Sequence, residues 1–394
     1  MQDTEKLQLF AVAGDPISHS LSPKMINRAM KVNDFHGYYM YLAADSVEDI
    51  FGVITFLEMS GCNITAPFKT AVLKKTDNYD ARVQQTGSVN LIVKQNDEWV
   101  GYNTDVNGVY QSLKEYKADF QACSVLIIGY GGAASAAAYA CKMMEMQKYV
   151  TGKDTEKLDT FAAKTGCIPV DIEQIQQIID RVDVIISTIP KNPLLLNQVT
   201  FGEQQIVLDC SYSNTGLENK VISRNAFYIS GKKWLLYQGC PSYKILTTLD
   251  APVETMTQSL QEENTPPKIF SIISVSESLL HTVAAHLTGF EHGVFFDLIE
   301  DPCSCRKLKK RIRKLPKQSY AIVMATTTEL EDDNFYDFIK DETFCFFLVS
   351  CKEKEKEQTL QNICAIDVLV PTEAKTGAQI GGRIKKEIEN ICTL

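Results

Sequence analysis

Hydrophobic residues in the first 106 positions fall into two recurring patterns. Short apolar runs, such as residues 9–12 and 89–93, alternate with amphipathic stretches such as residues 47–59. Short apolar runs are typical of buried strands, and apolar residues three or four positions apart are typical of helices. The alternation predicts an α/β fold for this part of the chain.

A second α/β unit begins at residue 124. The apolar run SVLIIG starts there and is followed by a glycine turn, an alanine-rich helix through residue 146 and a strand that ends near residue 151. Two further apolar runs, at 182–189 and 206–212, are predicted to be buried strands of the same sheet. Apolar strands separated by helices favour a parallel sheet.

The stretch QEENTPPK at 261–268 combines charged residues with two prolines, and we place a linker at 263–268. Apolar runs at 269–273, 321–325 and 344–350 follow it, and a final amphipathic helix starts at residue 379. Residues 269–394 are therefore predicted to form a third, small α/β domain.

Length and composition fit a soluble protein of two or three domains, with 394 residues of which 45% are hydrophobic and 23% charged. No run approaches the roughly 18 apolar residues that a membrane span needs. The first residues, MQDTEKLQLF, lack the pattern of a secretory signal. We expect a cytoplasmic protein without a membrane partner.

The charge and the cysteines exclude further classes. A net charge of −9 argues against nucleic-acid binding, and the basic run at 306–317 has no interleaved aromatic residues, so we interpret it as a solvated helix face. The 12 cysteines are scattered through the chain and are predicted to be reduced thiols. Cys303 and Cys305 are too close for a zinc knuckle, and no metal site is predicted.

A glycine turn follows the strand that begins at residue 124. The segment GYGGAA at 129–134 fits the form G-x-G-x-x-A and contributes Gly129, Gly131, Gly132 and Ala133 as candidate cofactor-binding residues. Glycines let the backbone approach a pyrophosphate, and the following helix presents free N–H groups to it. The alternative is a turn that merely connects a strand to a helix.

The end of the next strand carries two candidates with opposite preferences. Lys153 can pair with the 2′-phosphate of NADP, whereas Asp154 can accept hydrogen bonds from the free 2′-hydroxyl of NAD. A solvated loop without either role is the alternative.

Three polar motifs precede the glycine turn. They are GDPISHSLSP at 14–23, NITAPFK at 63–69 and GYNTD at 101–105. Taken singly, each is explained by a turn or by a helix cap, and Asp105 in particular is well placed to be an N-cap.

Taken together, the motifs resemble those of the shikimate dehydrogenase family. The resemblance covers about residues 7–262 and rests, in order, on Ser20 and Ser22, NITAPFK (63–69), SVN (88–90), GYNTD (101–105), GYGGA (129–133) and QGCPSY (238–243). It implies Lys69 and Asp105 as the catalytic pair. It also implies substrate contacts from Ser20, Ser22, Thr65, Asn90, Tyr212 and Gln238.

The resemblance also implies an architecture and a reaction. Residues 1–106 and 236–262 would form the substrate domain, and 107–235 a Rossmann-type dinucleotide-binding domain. The reaction would be the reversible NADPH-dependent reduction of 3-dehydroshikimate to shikimate, by a monomer or homodimer in aromatic amino acid biosynthesis.

Two departures keep alternatives open. The family's basic N-R-T segment is GKD at 152–154, and its N-A-T segment is STIP at 187–190. NAD is therefore also possible as cofactor, as in a quinate/shikimate dehydrogenase. A non-catalytic sensor of pathway metabolites is the alternative of another class.

Residues 269–394 resemble, over fewer positions, shikimate kinase. The matching segments are IFSI (269–272), FFD (295–297), ATTT (325–328) and FFL (346–348). The segment SVSESLLH at 274–281 has neither the glycines nor the lysine of a phosphate-binding loop, so phosphoryl transfer is not expected. From the sequence, we expect dehydrogenase activity to survive removal of everything after residue 262.

Overall fold

The structure is a computed structural model. It describes residues 7–189, 196, 198–212, 216–262, 269–274, 283, 293–297, 308, 314–315, 320–326, 344–349, 367–373 and 375–392. The chain forms two compact units. Unit 1 comprises residues 1–23, 36–68 and 262–394, and unit 2 comprises residues 24–35 and 69–261.

The strands, in chain order, are β1 (Gln8–Gly14), β2 (Gly37–Ala43), β3 (Gly61–Ile64), β4 (Asn78–Tyr79), β5 (Leu91–Gln95), β6 (Glu98–Tyr102), β7 (Ser124–Ile128), β8 (Gln147–Thr151), β9 (Ile168–Pro169), β10 (Val184–Ser187), β11 (Ile206–Asp209), β12 (Phe227–Ile229), β13 (Ile269–Ser274), β14 (Gly293–Asp297), β15 (Tyr320–Thr326), β16 (Phe344–Val349) and β17 (Val368–Pro371).

The α-helices, in chain order, are α1 (Ser22–Val32), α2 (Val47–Phe56), α3 (Ala81–Thr86), α4 (Asp105–Lys114), α5 (Gly132–Met143), α6 (Thr155–Thr165), α7 (Ile175–Ile179), α8 (Leu217–Ile222), α9 (Gly231–Thr247), α10 (Val253–Gln261) and α11 (Gly377–Cys392). Two short 3₁₀ helices lie at Val72–Lys75 and Ile172–Gln174.

Parallel strands of unit 1 form one sheet in the order β14-β15-β13-β16-β17-β2-β1-β3. Five of these strands follow the predicted linker and three precede it. The two groups meet where β17 pairs with β2, with Val368 opposite Tyr41 and Leu369 opposite Leu42. The backbone N–H of Tyr41 donates to the carbonyl of Asp367 at 2.9 Å. The C-terminal strands therefore extend the N-terminal sheet, while the linker at 263–268 lies outside the described residues.

Unit 2 contains a six-stranded parallel sheet in the order β12-β11-β10-β7-β8-β9. The strand that precedes the glycine turn lies in the middle, and later strands add on both sides of it. This is the strand order of a doubly wound dinucleotide-binding fold, so the predicted Rossmann-type α/β architecture is confirmed. Unit 2 also contains β5, which is antiparallel to β6, and β4, which is parallel to β6.

Small residues bring the helices of unit 2 into close contact. The buried alanines of α5 pack among the apolar residues of the central strands. Gly108 of α4 faces α9, where an added Cβ would lie 2.9 Å from the carbonyl oxygen of Trp234. This close packing fixes α4, which begins at Asp105, against α9, which contains Gln238.

Candidate active site

Lys69 and Asp105 form an ion pair in unit 2. Lys69 Nζ lies 2.6 Å from Asp105 Oδ2, and the two side chains are only 15% and 8% exposed. Asp105 is the first residue of α4, and its other oxygen, Oδ1, accepts a hydrogen bond of 3.2 Å from the indole N–H of Trp234. The structure therefore corrects the interpretation of Asp105 as an N-cap, because Thr104 occupies that position.

A buried cluster of amide and hydroxyl groups lies at the start of α4. Asn90 donates from Nδ2 to Thr104 Oγ1 at 2.8 Å and to Gln238 Oε1 at 3.3 Å. Thr104 Oγ1 is also 2.9 Å from the hydroxyl of Ser242. Two of the predicted substrate residues, Asn90 and Gln238, are thus brought together by Thr104, one residue before Asp105.

Three residues of this site, namely Thr104, Trp234 and Ser242, are not among those predicted from the sequence. A signal existed for two of them, because Thr104 belongs to GYNTD and Ser242 to QGCPSY. Ser242 also follows Gln238 by four residues, which places both on one face of α9. Nothing in the sequence around Trp234 indicates its contact with Asp105.

The glycine turn lies directly against Lys69. A Cβ added to Gly132 would come within 2.5 Å of Ser88 Oγ and 2.9 Å of Lys69 Cβ. Gly129 has a φ of +110°, a conformation that favours glycine. By contrast, no atom of the described residues lies within 4 Å of a Cβ added to Gly131, which immediately precedes α5. The turn therefore has open space beside its backbone, as a bound pyrophosphate requires.

Lys153 and Asp154 differ in their surroundings. Lys153 is exposed after β8. Asp154 is the N-cap of α6, where Oδ1 accepts a hydrogen bond of 3.1 Å from the Lys157 N–H and Oδ2 lies 3.0 Å from Lys157 Nζ. The hydrogen bonds from Lys157 lower the pKa of Asp154. Both carboxylate oxygens of Asp154 are thus used within the first turn of its own helix.

A buried acid ends β11, three residues before Tyr212. Asp209 is buried, which raises its pKa to about 6, and it accepts a hydrogen bond of 3.1 Å from the Ser211 N–H. Tyr212 itself is half-buried. Asp209 is not among the predicted site residues, although an acidic residue at the end of an apolar strand is a usable signal.

The remaining predicted substrate residues, Ser20, Ser22 and Thr65, belong to unit 1. Both serines are buried, and the backbone N–H of Ser22 donates to Ser20 Oγ at 3.3 Å. The hydroxyl of Tyr41, on β2, donates to the carbonyl of Ser20 at 2.9 Å. Thr65 is half-buried and follows β3.

Neither a metal centre nor a membrane span is found in the part of the chain that the structure describes. The described residues contain no group of three or more His, Cys, Asp or Glu side chains suited to a metal ion. None of the described helices has the length and apolar character needed to cross a bilayer. Cys303, Cys305 and the segment 275–281 lie outside the described residues, as does most of the basic run at 306–317.

Comparison with known proteins identifies relatives of about two thirds of the chain. Residues 12–92 match the family model "Shikimate dehydrogenase substrate binding domain". The chain is 30% identical over 285 residues to the shikimate dehydrogenase (NADP(+)) of Nostoc sp., an alignment that covers 65% of this chain and 97% of the relative.

Solved structures agree with this match. The shikimate dehydrogenase of Aquifex aeolicus superposes with a TM-score of 0.62 at 27% identity, covering 66% of this chain and 99% of that one. A shikimate dehydrogenase in complex with NADP⁺ superposes with a TM-score of 0.59 at 26% identity, covering 65% of this chain and 95% of that one. About one third of this chain therefore has no counterpart in these relatives.

Proposed function

The chain belongs to the shikimate dehydrogenase family, and we propose that it interconverts 3-dehydroshikimate and shikimate with Lys69 and Asp105 as its catalytic pair. It is an oxidoreductase of the NADP-dependent type. The proposal rests on one observation: a largely buried Lys–Asp pair lies directly against the glycine turn of a dinucleotide-binding fold.

The residues of the glycine turn fit a dinucleotide. We propose that Gly129, Gly131, Gly132 and Ala133 hold the pyrophosphate at the start of α5, with Lys153 at the ribose end. Bound NADPH supplies the hydride that is added to the ketone carbon. Because Lys153 is exposed and Asp154 is engaged with Lys157, the ammonium of Lys153 is the group available for a 2′-phosphate.

Lys69 supplies the proton in this reaction. As negative charge develops on the ketone oxygen, the Lys69 ammonium donates a proton to it, and in the reverse direction the amine accepts the proton of the hydroxyl. Asp105 holds Nζ at 2.6 Å and is held in turn by the indole of Trp234. The position of the proton donor is therefore fixed before the substrate arrives.

The neutral hydrogen-bonding residues suit the substrate. Shikimate is a carboxylate with three hydroxyls, and hydroxyl and amide side chains offer both donors and acceptors to such groups. We propose that Ser20, Ser22, Thr65, Asn90, Tyr212 and Gln238 make these contacts. Within the family's architecture, we propose residues 1–106 and 236–262 as the substrate domain and residues 107–235 as the cofactor domain. We also propose that the protein is cytoplasmic and is a monomer or a homodimer.

The proposal is tested by following shikimate oxidation with NADP and NAD in parallel, with quinate as a second substrate. Lys69→Ala is expected to lower kcat by about 10²- to 10⁴-fold, because it removes the proton donor while leaving the hydroxyl and amide contacts in place. Lys74→Ala, which alters an exposed lysine five positions later, is the matched control and should be silent.

The same assay separates the alternatives. Faster turnover of quinate with NAD than of shikimate with NADP would establish the quinate/shikimate dehydrogenase. Binding of shikimate, without turnover of shikimate or quinate with either NADP or NAD, would favour a metabolite sensor. An unchanged kcat in Lys69→Ala would rule out the proposed mechanism.

A further inference from the structure

The last helix of the chain buries a carboxylate inside unit 1. Glu387 of α11 has 0% of its side chain exposed. Its Oε2 accepts hydrogen bonds from the backbone N–H of Ile17 at 3.0 Å and of Ser18 at 2.9 Å, and also from the hydroxyl of Ser18. One acidic side chain near the C-terminus thus satisfies three donors from a loop near the N-terminus.

Neighbouring residues on the same face of α11 contact the same loop. Arg383 pairs with Asp15, Lys386 Nζ lies 2.6 Å from Asp15 Oδ1, and Asn390 Nδ2 lies 2.8 Å from His19 Nδ1. Positions 383, 386, 387 and 390 are spaced three and four residues apart, so one helical face makes all of these contacts. Arg383 also pairs with Asp45, beyond β2.

The contacted loop leads directly into two of the proposed substrate residues. Residues 15–19 immediately precede Ser20, and the backbone N–H of Ser20 donates to the carbonyl of Ile17 at 2.9 Å. The N–H of Ile17 therefore donates a hydrogen bond to Glu387, and the carbonyl of Ile17 accepts one from Ser20. A single residue, Ile17, thus connects Glu387 to Ser20 by hydrogen bonds.

The contact is costly to lose. A buried backbone N–H without a partner destabilises the conformation that buries it, and removal of Glu387 would leave two such groups. The side chain of Ile17 is also fully buried, so the loop cannot easily turn its amides toward water. The loop is expected to change conformation when the carboxylate is removed.

We propose that Glu387 is a positioning residue for substrate binding, which fixes the loop at 15–20 and thereby the hydroxyl of Ser20. The proposal rests on the proposed function, in which Ser20 and Ser22 contact the substrate. It assigns a role to α11, in a chain of which about one third has no counterpart in the matched relatives. That helix completes the substrate-binding loop of the dehydrogenase.

The test uses the full-length protein with Glu387→Ala, Glu387→Gln and the matched control Glu389→Gln, which changes an exposed carboxylate two residues away on α11. Glu387→Ala is expected to raise KM for shikimate by about tenfold or more, since loss of one well-made contact is worth about that factor. The KM for NADP and kcat should change by less than about threefold, because Lys69, Asp105 and the glycine turn belong to unit 2.

Glu387→Gln preserves the shape of the side chain and one acceptor oxygen, so its KM for shikimate should lie between those of the wild type and Glu387→Ala. A merely structural role would raise KM for shikimate and KM for NADP and lower kcat by similar factors, and would also lower the melting temperature. That result would overturn the proposal. If Glu387→Ala does not fold, the proposal is tested with Glu387→Gln and with Ser18→Ala, which removes only the hydroxyl donor. A raised KM for shikimate, with KM for NADP and kcat nearly unchanged, again supports the positioning role.

Amide hydrogen exchange of residues 15–20 gives a readout that does not depend on activity. Faster exchange in Glu387→Ala, and not in Glu389→Gln, supports the positioning role, whereas unchanged exchange contradicts it. A wild-type protein that fails to oxidise shikimate would overturn the proposed function instead, and the exchange measurement would still decide whether Glu387 holds the loop.

Discussion

At the scale of single residues, the carboxylate of Asp105 is held by a donor on each of its two oxygens. One oxygen faces Lys69 Nζ at 2.6 Å and the other faces the indole N–H of Trp234 at 3.2 Å. Two donors on different oxygens fix the plane of the carboxylate. The orientation of the carboxylate in turn fixes the position of the Lys69 ammonium. Trp234 should therefore affect catalysis without touching the reacting atoms.

Trp234→Phe tests this positioning effect. Phenylalanine keeps an aromatic ring in the buried site but removes the N–H, so kcat is expected to fall by about 10- to 150-fold, the worth of one hydrogen bond to a charged group. Trp99→Phe, which alters the other tryptophan of the chain, is the control and should leave kcat unchanged. A full rate in Trp234→Phe would show that Lys69 alone orients Asp105.

At the scale of secondary-structure elements, the turn before α5 has two glycines with different surroundings. Gly132 is confined by Ser88 and Lys69, whereas Gly131 faces open space. Glycine is therefore required at position 132 because a side chain there would clash with the protein itself. At position 131, in the proposed function, glycine is required because a side chain would occupy the space of the bound cofactor.

The two glycines should respond differently to alanine. Gly132→Ala is expected to displace Lys69 and to lower both kcat and stability, since overpacking costs about 1–3 kcal/mol. Gly131→Ala should leave the melting temperature nearly unchanged but raise KM for NADP, because its methyl group occupies the space beside the backbone N–H groups. Steady-state kinetics and thermal unfolding of both variants check this contrast. Equal behaviour of the two would show that the open space is not the cofactor site.

The start of α6 offers a prediction about cofactor choice. Lys153→Ala should lower the ratio of kcat/KM for NADP over NAD, because it removes the exposed ammonium near the ribose end. Asp154→Asn should raise that ratio by removing a carboxylate that repels the 2′-phosphate, with little loss of stability because asparagine also caps helices well. Asp159→Asn makes the same charge change at an exposed site of α6 and is the control. If neither Lys153→Ala nor Asp154→Asn changes the ratio, the segment is only a solvated loop.

Most elements were predictable where the hydrophobic pattern is local. The run that begins at residue 124 contains strand β7, and the run at 206–212 contains the shorter strand β11. The predicted final helix is α11, which begins two residues earlier than expected. The strand β17 was not predicted, although its apolar run VLVP was a usable signal of the same kind. Glu387 had a signal, since it lies within the apolar spacing of Ile380, Ile384, Ile388 and Ile391. Its partners, however, are 370 positions away, and no local pattern identifies them.

At the scale of the whole molecule, unit 1 is built from both ends of the chain. The sequence suggested a separable C-terminal domain because a charged, proline-containing stretch precedes it. The structure instead continues the sheet from β17 to β2 and places α11 against the loop at 15–19. A pairing between strands so far apart in sequence follows from tertiary packing, which composition and periodicity do not encode. The expectation that activity survives removal of this segment therefore has a structural argument against it.

A chain ending at Glu262 tests whether the segment is separable. Without β17, the Tyr41 N–H loses its partner and β2 becomes an exposed edge, which favours association with other chains. Without α11, the loop at 15–19 loses Glu387. We expect a melting temperature lower by several degrees, consistent with a loss of about 2–3 kcal/mol, along with increased light scattering and a raised KM for shikimate. Affinity for NADP should be retained, because the glycine turn belongs to unit 2.

The matched control is a full-length chain with a protease site introduced within 263–268 and then cleaved. Its two pieces keep every strand and helix, so it should retain the melting temperature and KM of the intact protein if contacts, and not the covalent connection, stabilise unit 1. Loss of activity in both the truncated chain and the cleaved chain would show that the covalent link at 263–268 is itself required. Equal stability and equal KM in the truncated and full-length proteins would show that residues 263–394 form an independent module, and that the sheet continuity between β17 and β2 contributes nothing to the dehydrogenase.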